Sequence, residues 1–583
     1  MGMGATNTAE RVAASVGLLS AAQVDFRLAA DVPNGGVLLG LPALLAVGLL
    51  RHTHEHFELP PGYYGLESIM LLLAFMALAR VKSIEALRYC APGEWGKLLG
   101  LDRIPEVRTL RSKIKNLAQT DAPTQWSADL CADWMAAEQA ALFYVDGHVR
   151  VYNGDKATLP RHFVARQKLC LRASADYWVN ALGGQPFFVM QQDVDPHLIQ
   201  VLQGQIVPRL LNEVPNQPTL KQLDENPLLH RFTVVFDREG YSPQLLADLK
   251  QQRIACLTYH KQPGEDWNLR EFLPYQVKLV SGQQVEMKLA ERGVFLAGKV
   301  WLREIRRLTQ SGHQTSILCT DFRSDTGSVA VAMFARWCQE NYFRYMRKEY
   351  NLDRLIDYGV EDIPESTRVV NPEYRRMDGD VRKTAATLIR RRAEFQALSL
   401  DHVTDEGKLA QLQQKKGELL DEIARLEARQ AELKEQRKAV KKHITAAELP
   451  PGERFNRLTR QSKHFIDTIK MVAYRAETAM VNILREHMSR TDDARSLLRA
   501  IYTNEADLIP DEETETLTVR LHQPANRSSS KAIEYLCQEL NETKTLFPGT
   551  NLRVVYELVS RQNPGDQEVW SYESPLPRKP LRA

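Results

Sequence analysis

Apolar residues concentrate first in two runs, 37–50 and 69–79, inside a stretch that reads as helical from 37 to about 140. Both runs are shorter than the roughly 18 to 20 residues needed to span a bilayer. Pro42 interrupts the first, and Arg80 and Lys82 end the second, so buried helices and no membrane span are expected. Ser127 is placed to cap a helix carrying Leu130, Trp134, Ala137 and Ala141. The periodicity then changes to two. Leu142-Phe-Tyr-Val-Asp146 and His148-Val-Arg-Val-Tyr152 predict two short strands that turn through Asp146-Gly147 as a hairpin. Further strands are expected at 187–190, 231–236 and 254–257, with helices at 197–212 and from Ser242 to Leu249. Such an order predicts a mixed sheet with helices packed on it.

Between about 260 and 315, Tyr275-Gln-Val-Lys-Leu-Val, Gln284-Val-Glu-Met-Lys-Leu and Lys299-Val-Trp-Leu-Arg-Glu-Ile-Arg alternate apolar with polar, as half-buried antiparallel strands do. This predicts a β insertion, after which 316–320 resumes a buried strand and 328–350 forms one long helix. Beyond 366, Leu409, Leu412, Leu419, Ile423, Leu426, Leu433, Val440 and Ile444 follow heptad spacing, with Lys416, Gln430 and Arg437 at intervening seam positions. Polar seam residues weaken a free-standing zipper, so an intramolecular helical hairpin and a dimer coil both fit. An amphipathic helix at 465–488 and a small unit with strands at 516–521 and 551–558 complete the chain.

The expected architecture is therefore α/β and multidomain. A helical N-terminal region spans 1–140, and a sheet-based domain spans 141–365 with its insertion at about 260–315. A helical region covers 366–500 with a coiled coil at 405–445, and a small α/β C-terminal unit covers 501–583.

A chain of 583 residues exceeds what one hydrophobic core usually organises. The net charge of +3 does not by itself indicate nucleic-acid binding, although local basic faces can bind phosphate while acids elsewhere cancel the total. One such face is the segment 100–114, a turn followed by a basic helix. Pro105 suits its first turn, and Arg108, Arg111, Lys113 and Lys115 serve either a solvated surface or DNA phosphates. The seven cysteines are scattered without CxxC spacing, and no secretory signal opens the chain, so reduced thiols and a cytoplasmic location are expected. His52, His54 and His56 fit a polar loop or, in a minority reading, a metal site.

Three acids carry the candidate chemistry. Asp146 and Asp237 each close an apolar run, so each carboxylate emerges at the end of a strand. Glu340 follows Arg336 by four residues and precedes Arg347 by seven, which puts all three on one helical face. That stripe fits a structural salt-bridge ladder or a metal ligand flanked by phosphate-binding cations. Asp193 and Asp195, beside Pro196, and Asp321, between a strand and a helix, are competing acids for which capping suffices.

This combination resembles the bacterial insertion-sequence DDE transposases, whose catalytic domain has the ribonuclease H-like fold. The resemblance rests on Asp237-Arg-Glu-Gly-Tyr-Ser242, on Arg336-Trp-Cys-Gln-Glu340-Asn-Tyr-Phe, and on Asn351-Leu-Asp-Arg-Leu. Segments 100–114 and 467–477 are similar to flanking parts of these proteins. Of the Tyr, Arg, Glu, Lys signature found in relatives with a β insertion, Arg336 and Glu340 are kept, Met333 replaces the tyrosine and Arg347 the lysine.

The resemblance implies an enzyme that binds the inverted repeats of its own element, hydrolyses the strand there and joins the 3′ hydroxyl to target DNA. Asp146, Asp237 and Glu340 would hold two magnesium or manganese ions. Arg336 and Arg347 would position phosphates, with Arg238 and His148 as weaker candidates. Double-stranded DNA and a second copy of the chain are the implied partners. A nuclease of the same fold, a domesticated DNA-binding relative without strand transfer, and a coiled-coil scaffold are the competing readings.

Overall fold

The computed structural model describes residues 5–164, 166–192, 197–279, 282–354, 359–398, 406–524 and 527–559. A short strand, β1 (Ala29–Val32), leads into the helical N-terminal region, which contains α1 (Leu66–Leu78), α2 (Val107–Leu117) and α3 (Ala122–Ala137). Helix α1 is apolar nearly all round and buried from Ile69 to Met76, as a core helix must be. No helix among the described residues is long and apolar enough to cross a membrane. Two local expectations are corrected here. Helix α3 starts after Asp121 with Pro123 in its first turn, leaving Ser127 buried inside it and not at its cap. Helix α2 starts at Val107, so Pro105 precedes its cap residue Glu106.

The central sheet has ten strands: β2 (Leu142–Val151), β3 (Arg161–Val164), β4 (Leu169–Asn180), β5 (Pro186–Gln192), β6 (Thr233–Phe236), β7 (Ala255–Tyr259), β8 (Leu273–Lys278), β9 (Gln284–Leu296), β10 (Val300–Leu308) and β11 (Gln314–Cys319). Their order is β3-β4-β2-β6-β7-β11-β10-β9-β8, with β5 beside β4. Strands β2, β4 and β5 form an antiparallel meander, and β6 and β7 add in parallel beyond β2. The parallel strand β6 is buried along its whole Thr-Val-Val-Phe length, and α4 (Pro243–Gln251), capped by Ser242, crosses over to β7.

The predicted hairpin at Asp146-Gly147 does not form. β2 runs straight through both residues because the long strand β4, unrecognised in the sequence, pairs with it from Tyr144 to Val151. Gly147 is needed there for space: a Cβ would press against the Tyr177 ring at 3.2 Å. The antiparallel strands expected between about 260 and 315 form as β8, β9 and β10, and they continue the same sheet through the pairing of β11 with β7. The predicted single helix after it is two, α5 (Thr326–Phe334) and α6 (Trp337–Tyr350), broken at Ala335 and Arg336.

Two short antiparallel pairs then stitch an arm to the body. They join β12 (Val360–Asp362) and β13 (Arg368–Val370), before α7 (Pro372–Ala397) and α8 (Glu406–Ala439), to β14 (His443–Thr445) and β15 (Asn456–Leu458), after them. Helices α7 and α8 pack on each other as an intramolecular hairpin. Val381, Leu388, Leu419 and Leu433 are buried there, and Arg391–Glu422 (2.9 Å) and Arg392–Glu427 (2.6 Å) bridge the helices.

Helix α9 (Gln461–Glu486) runs through the centre of the molecule against α1, α3, β5 and the C-terminal elements, and its polar Lys463, Asp467, Lys470, Arg475 and Glu477 are all buried. Then follow α10 (Ala494–Thr503), β16 (Ala506–Asp511), β17 (Thr516–Leu521), α11 (Arg527–Glu542) and β18 (Arg553–Leu558). Their sheet is completed by β1 at its edge, in the order β1-β16-β17-β18, so the chain's two ends share one sheet.

Candidate active site

Asp146, His148 and Arg150 alternate along β2 and so project from one face of the sheet. In the parallel ladder the last pair joining β2 and β6 is Val145 with Phe236, and one residue further on each strand come Asp146 and Asp237. The two carboxylates thus leave the sheet side by side. Asp146 does so from mid-strand, unlike the strand-end position expected from sequence. Asp237 does so where β6 stops and its side chain accepts the Glu239 N–H at 2.9 Å.

Glu340 arrives from α6. Gln339, almost fully buried, pins that helix to the sheet by donating to Asn180 Oδ1 at 3.1 Å and to the carbonyls of Trp178 (3.3 Å) and Tyr144 (3.4 Å). The break before α6 aims Arg336 into the crevice, where its guanidinium lies 2.9 Å from Glu340 Oε1 and 3.5 Å from Asp146 Oδ2. Asp146 and Glu340 meet at this arginine and Asp237 stands beside Asp146, although the oxygens of the three do not all lie within 4.8 Å of one another.

Asp146 feels the charges around it. The Asp146 side chain keeps 20% of its surface, yet its pKa is pushed up to about 7. Burial is the main cause, and the negative charges of Asp237 and Glu340 add to it, against the opposing pull of Arg336 and the Gly147 N–H. Arg336 Nε is buried with no hydrogen-bond partner. The site therefore holds more negative charge than one arginine neutralises. Tyr259, at the end of β7, lines the crevice beside Arg336, and Arg238 is exposed with its guanidinium 5.6 Å from the Tyr259 ring centre.

His148 is used differently. Its Nε2 lies 2.6 Å from Asp353 Oδ1, and its ring stacks on Phe343 at 5.1 Å. Arg166 joins the same carboxylate at 3.2 Å. Burial works to raise the Asp353 pKa, but His148 and Arg166 outweigh it and hold it at about 2. His148 thus fastens the segment after α6 to β2. We expect His148→Ala to cost about 1–3 kcal/mol in denaturant unfolding, the price of unpairing a buried polar group.

Arg347 donates to the Phe343 carbonyl at 3.2 Å and lies close enough to Arg166 and Arg344 that these charges, after burial, lower its pKa. On α2, Arg108 and Arg111 are exposed, whereas Lys113 is half-buried with its Nζ 3.5 Å from the Pro60 carbonyl. Arg111 pairs with Glu85, which also takes Arg354 at 3.1 Å, so α2 reaches the segment that follows the third acid's helix. Asp321 stays out of the cluster and caps its own turn through the N–H groups of Arg323 (2.8 Å) and Ser324 (3.3 Å). Asp193 and Asp195 lie outside the described residues. Ahead of α1, where a loop was expected, a short helix spans Thr53–His56; His52 at its start faces Asp133 at 3.1 Å and His56 faces Asp129 at 2.5 Å.

Sequence reasoning missed Gln339, Asn180, Tyr259 and Asp353, which position the acids' elements through contacts far apart along the chain. No curated protein matches the chain. The family model described as Transposase protein matches residues 2–560 of its 583. With nearly the whole length covered, the chain belongs to that transposase family.

Proposed function

We propose that this transposase cuts the ends of its own mobile element and joins the freed 3′ hydroxyl to target DNA by two-metal phosphoryl transfer, on a sheet of ribonuclease H-like type. The observation that carries the reading is the convergence of Asp146, Asp237 and Glu340 on one crevice, with the Asp146 carboxyl destabilised as an anion by burial first and by its acidic neighbours in addition. Support for the fold comes from the five strands around the acids. They run β5-β4-β2-β6-β7, an antiparallel meander extended in parallel on its first strand.

The donor set suits hard divalent cations. It consists of carboxylate oxygens, with no thiol among the three, and carries an excess of negative charge. Asp146, Asp237 and Glu340 would hold magnesium or manganese, which supplies activation of the attacking oxygen and neutralisation of the leaving one. Arg336 balances the acids and is placed to bind a non-bridging phosphate oxygen once a cation relieves it of that charge. The basic group formed by Arg344, Arg347 and Arg166 lies along the same helix and its neighbours, where backbone phosphates flanking the scissile bond would run. Because two element ends must be joined together, a second copy of the chain is the proposed partner.

The test is incubation of the full-length protein with duplex carrying an element end, a target duplex, and magnesium or manganese. Nicked ends and covalently joined product are expected. Nicks without any joined product would reduce the enzyme to a nuclease, and DNA left intact with either metal would overturn the reading.

A further inference from the structure

The outer face of α7, turned away from α8, carries a strip of small residues at heptad spacing, Gly379, Ala386 and Ala393, all exposed. Cations flank the strip on both sides. Arg375 and Arg382 form one row, and Arg376, Lys383 and Arg390 form the other; successive members of a row lie about 10 Å apart along the axis. All five are exposed. Glu394 alone brings a negative charge onto this face, while Glu373 and Asp380 fall at its edge. Arg382 reaches Asp378 at 2.8 Å, and Arg390 reaches the Thr387 hydroxyl at 3.4 Å. Arg375, Arg376 and Lys383 have no side-chain partner among the described residues.

We infer that this face of the arm grips the sugar–phosphate backbone of duplex DNA without reading its sequence. The inference rests on the transposase reading. Long cationic side chains on two rows bracket a floor that places no Cβ beyond alanine in the way, so a backbone strand can approach the helix closely while phosphates meet guanidinium groups on either side. No Asn or Gln stands on the face to pair with base edges. A symmetric contact with a second copy through the same face would set arginine against arginine, which disfavours that occupant. A helix of 26 residues is about 39 Å long, so the arm can follow roughly one turn of duplex.

The experiment uses the full-length protein and a random-sequence duplex labelled for anisotropy, titrated between about 50 and 200 mM salt. The variant Arg375→Gln/Arg376→Gln/Lys383→Gln/Arg390→Gln removes four exposed charges. Each lost phosphate contact flattens the dependence of log affinity on log salt by about 0.9, so a slope shallower by roughly 3 to 4 is expected, with at least tenfold weaker binding at the lower salt end. A matched change on the other helix, Lys415→Gln/Arg425→Gln/Arg429→Gln/Lys438→Gln, should leave the slope near wild type. If the first variant melts early, Arg375→Gln/Lys383→Gln should give about half the slope change.

An unchanged slope in the α7 variants, or an equal loss in the α8 control, overturns the inference. So does normal DNA binding with lost self-association, which would make the face a contact between copies. Wild-type end cleavage is read in parallel. Its failure alongside the expected slope change would sink the proposed chemistry and leave the arm's role standing.

Discussion

Replacing Asp146 by asparagine is expected to abolish metal-dependent cleavage and, in the same protein, to raise stability at pH 8. On the proposed mechanism, the loss of activity follows from the removal of a carboxylate that would neutralise a cation at the reacting phosphate. Several kcal/mol of transition-state stabilisation disappear, and the rate falls by roughly 10³-fold or more. The gain in stability follows from the raised pKa. In the folded chain, kept free of metal by chelator, the Asp146 carboxyl holds its proton up to about pH 7, whereas in the unfolded chain it ionises near the ordinary carboxylate value. Below about pH 4 both states are protonated and the group has no effect on the balance. As pH rises from there through 7 only the unfolded state loses the proton, so wild-type stability declines over that window and then levels off. Asparagine resembles the protonated form and escapes the decline. The variant should therefore match wild type near pH 4 and exceed it at pH 8 by on the order of 2–4 kcal/mol, seen as a melting point several degrees higher. Added manganese should reverse the order, because only wild type gains stability from binding. A variant that loses cleavage and also melts earlier at pH 8 would mark Asp146 as structural.

The part of this site legible in the sequence is the part governed by local pattern. β6 is a parallel strand buried on both faces, so it reads as a β-branched and apolar run without alternation, Thr-Val-Val-Phe, and the acid that ends the run marks the strand's end. The alternation in β8 and β9 was equally readable, because these strands keep much of one side exposed, and β10 kept it although Leu302 to Arg306 are buried on both faces, its polar residues there being paired inside. Asp146 was identified while its setting was misread. Asp-Gly is a strong local turn signal, and it was overridden by pairing with eight residues of β4, Ala173 to Asn180, a strand whose own pattern mixes Arg172, Ser174 and Asp176 with apolar residues. That mixture makes sense only in three dimensions, where Asp176 meets the buried Arg150 of β2 at 2.7 Å. The break between α5 and α6 has no glycine or proline to announce it. Helix α9 reads as amphipathic, yet its polar side is buried: Lys463 and Asp467 pair with each other, while Glu477 takes Arg80 and Arg475 takes Glu138 from far along the chain.

Glu477 on α9 is the extreme case of such burial, and Glu477→Ala is expected to be among the most destabilising single changes in the protein. The carboxylate is fully buried. It accepts hydrogen bonds from Arg80 (2.6 Å), just past α1, from Arg495 (2.9 Å) on α10, and from the hydroxyls of Tyr350 (2.5 Å) and Tyr345 on α6. Burial alone would raise its pKa, but Arg80 and Arg495 outweigh it and the group titrates below the ordinary glutamate range. Alanine would strand two guanidinium groups and two hydroxyls in a dry interior, a loss of about 3–5 kcal/mol. Glu477→Gln keeps the shape and one acceptor and should lose less. Urea unfolding followed by tryptophan fluorescence gives the numbers, and an alanine variant within about 1 kcal/mol of wild type would contradict the argument. A depressed carboxylate contributes above its unfolded pKa and loses its effect as pH falls through the folded one, so the gap between wild type and alanine should narrow in acid. The clamp also has a functional consequence. Tyr345 and Tyr350 lie on the same helix as Glu340, and Arg80 and Arg499 hold that helix a second time through Glu349, at 3.7 and 2.7 Å. A chain that loosens this grip lets α6 shift against β2, and the third acid moves away from the first two before the fold as a whole gives way.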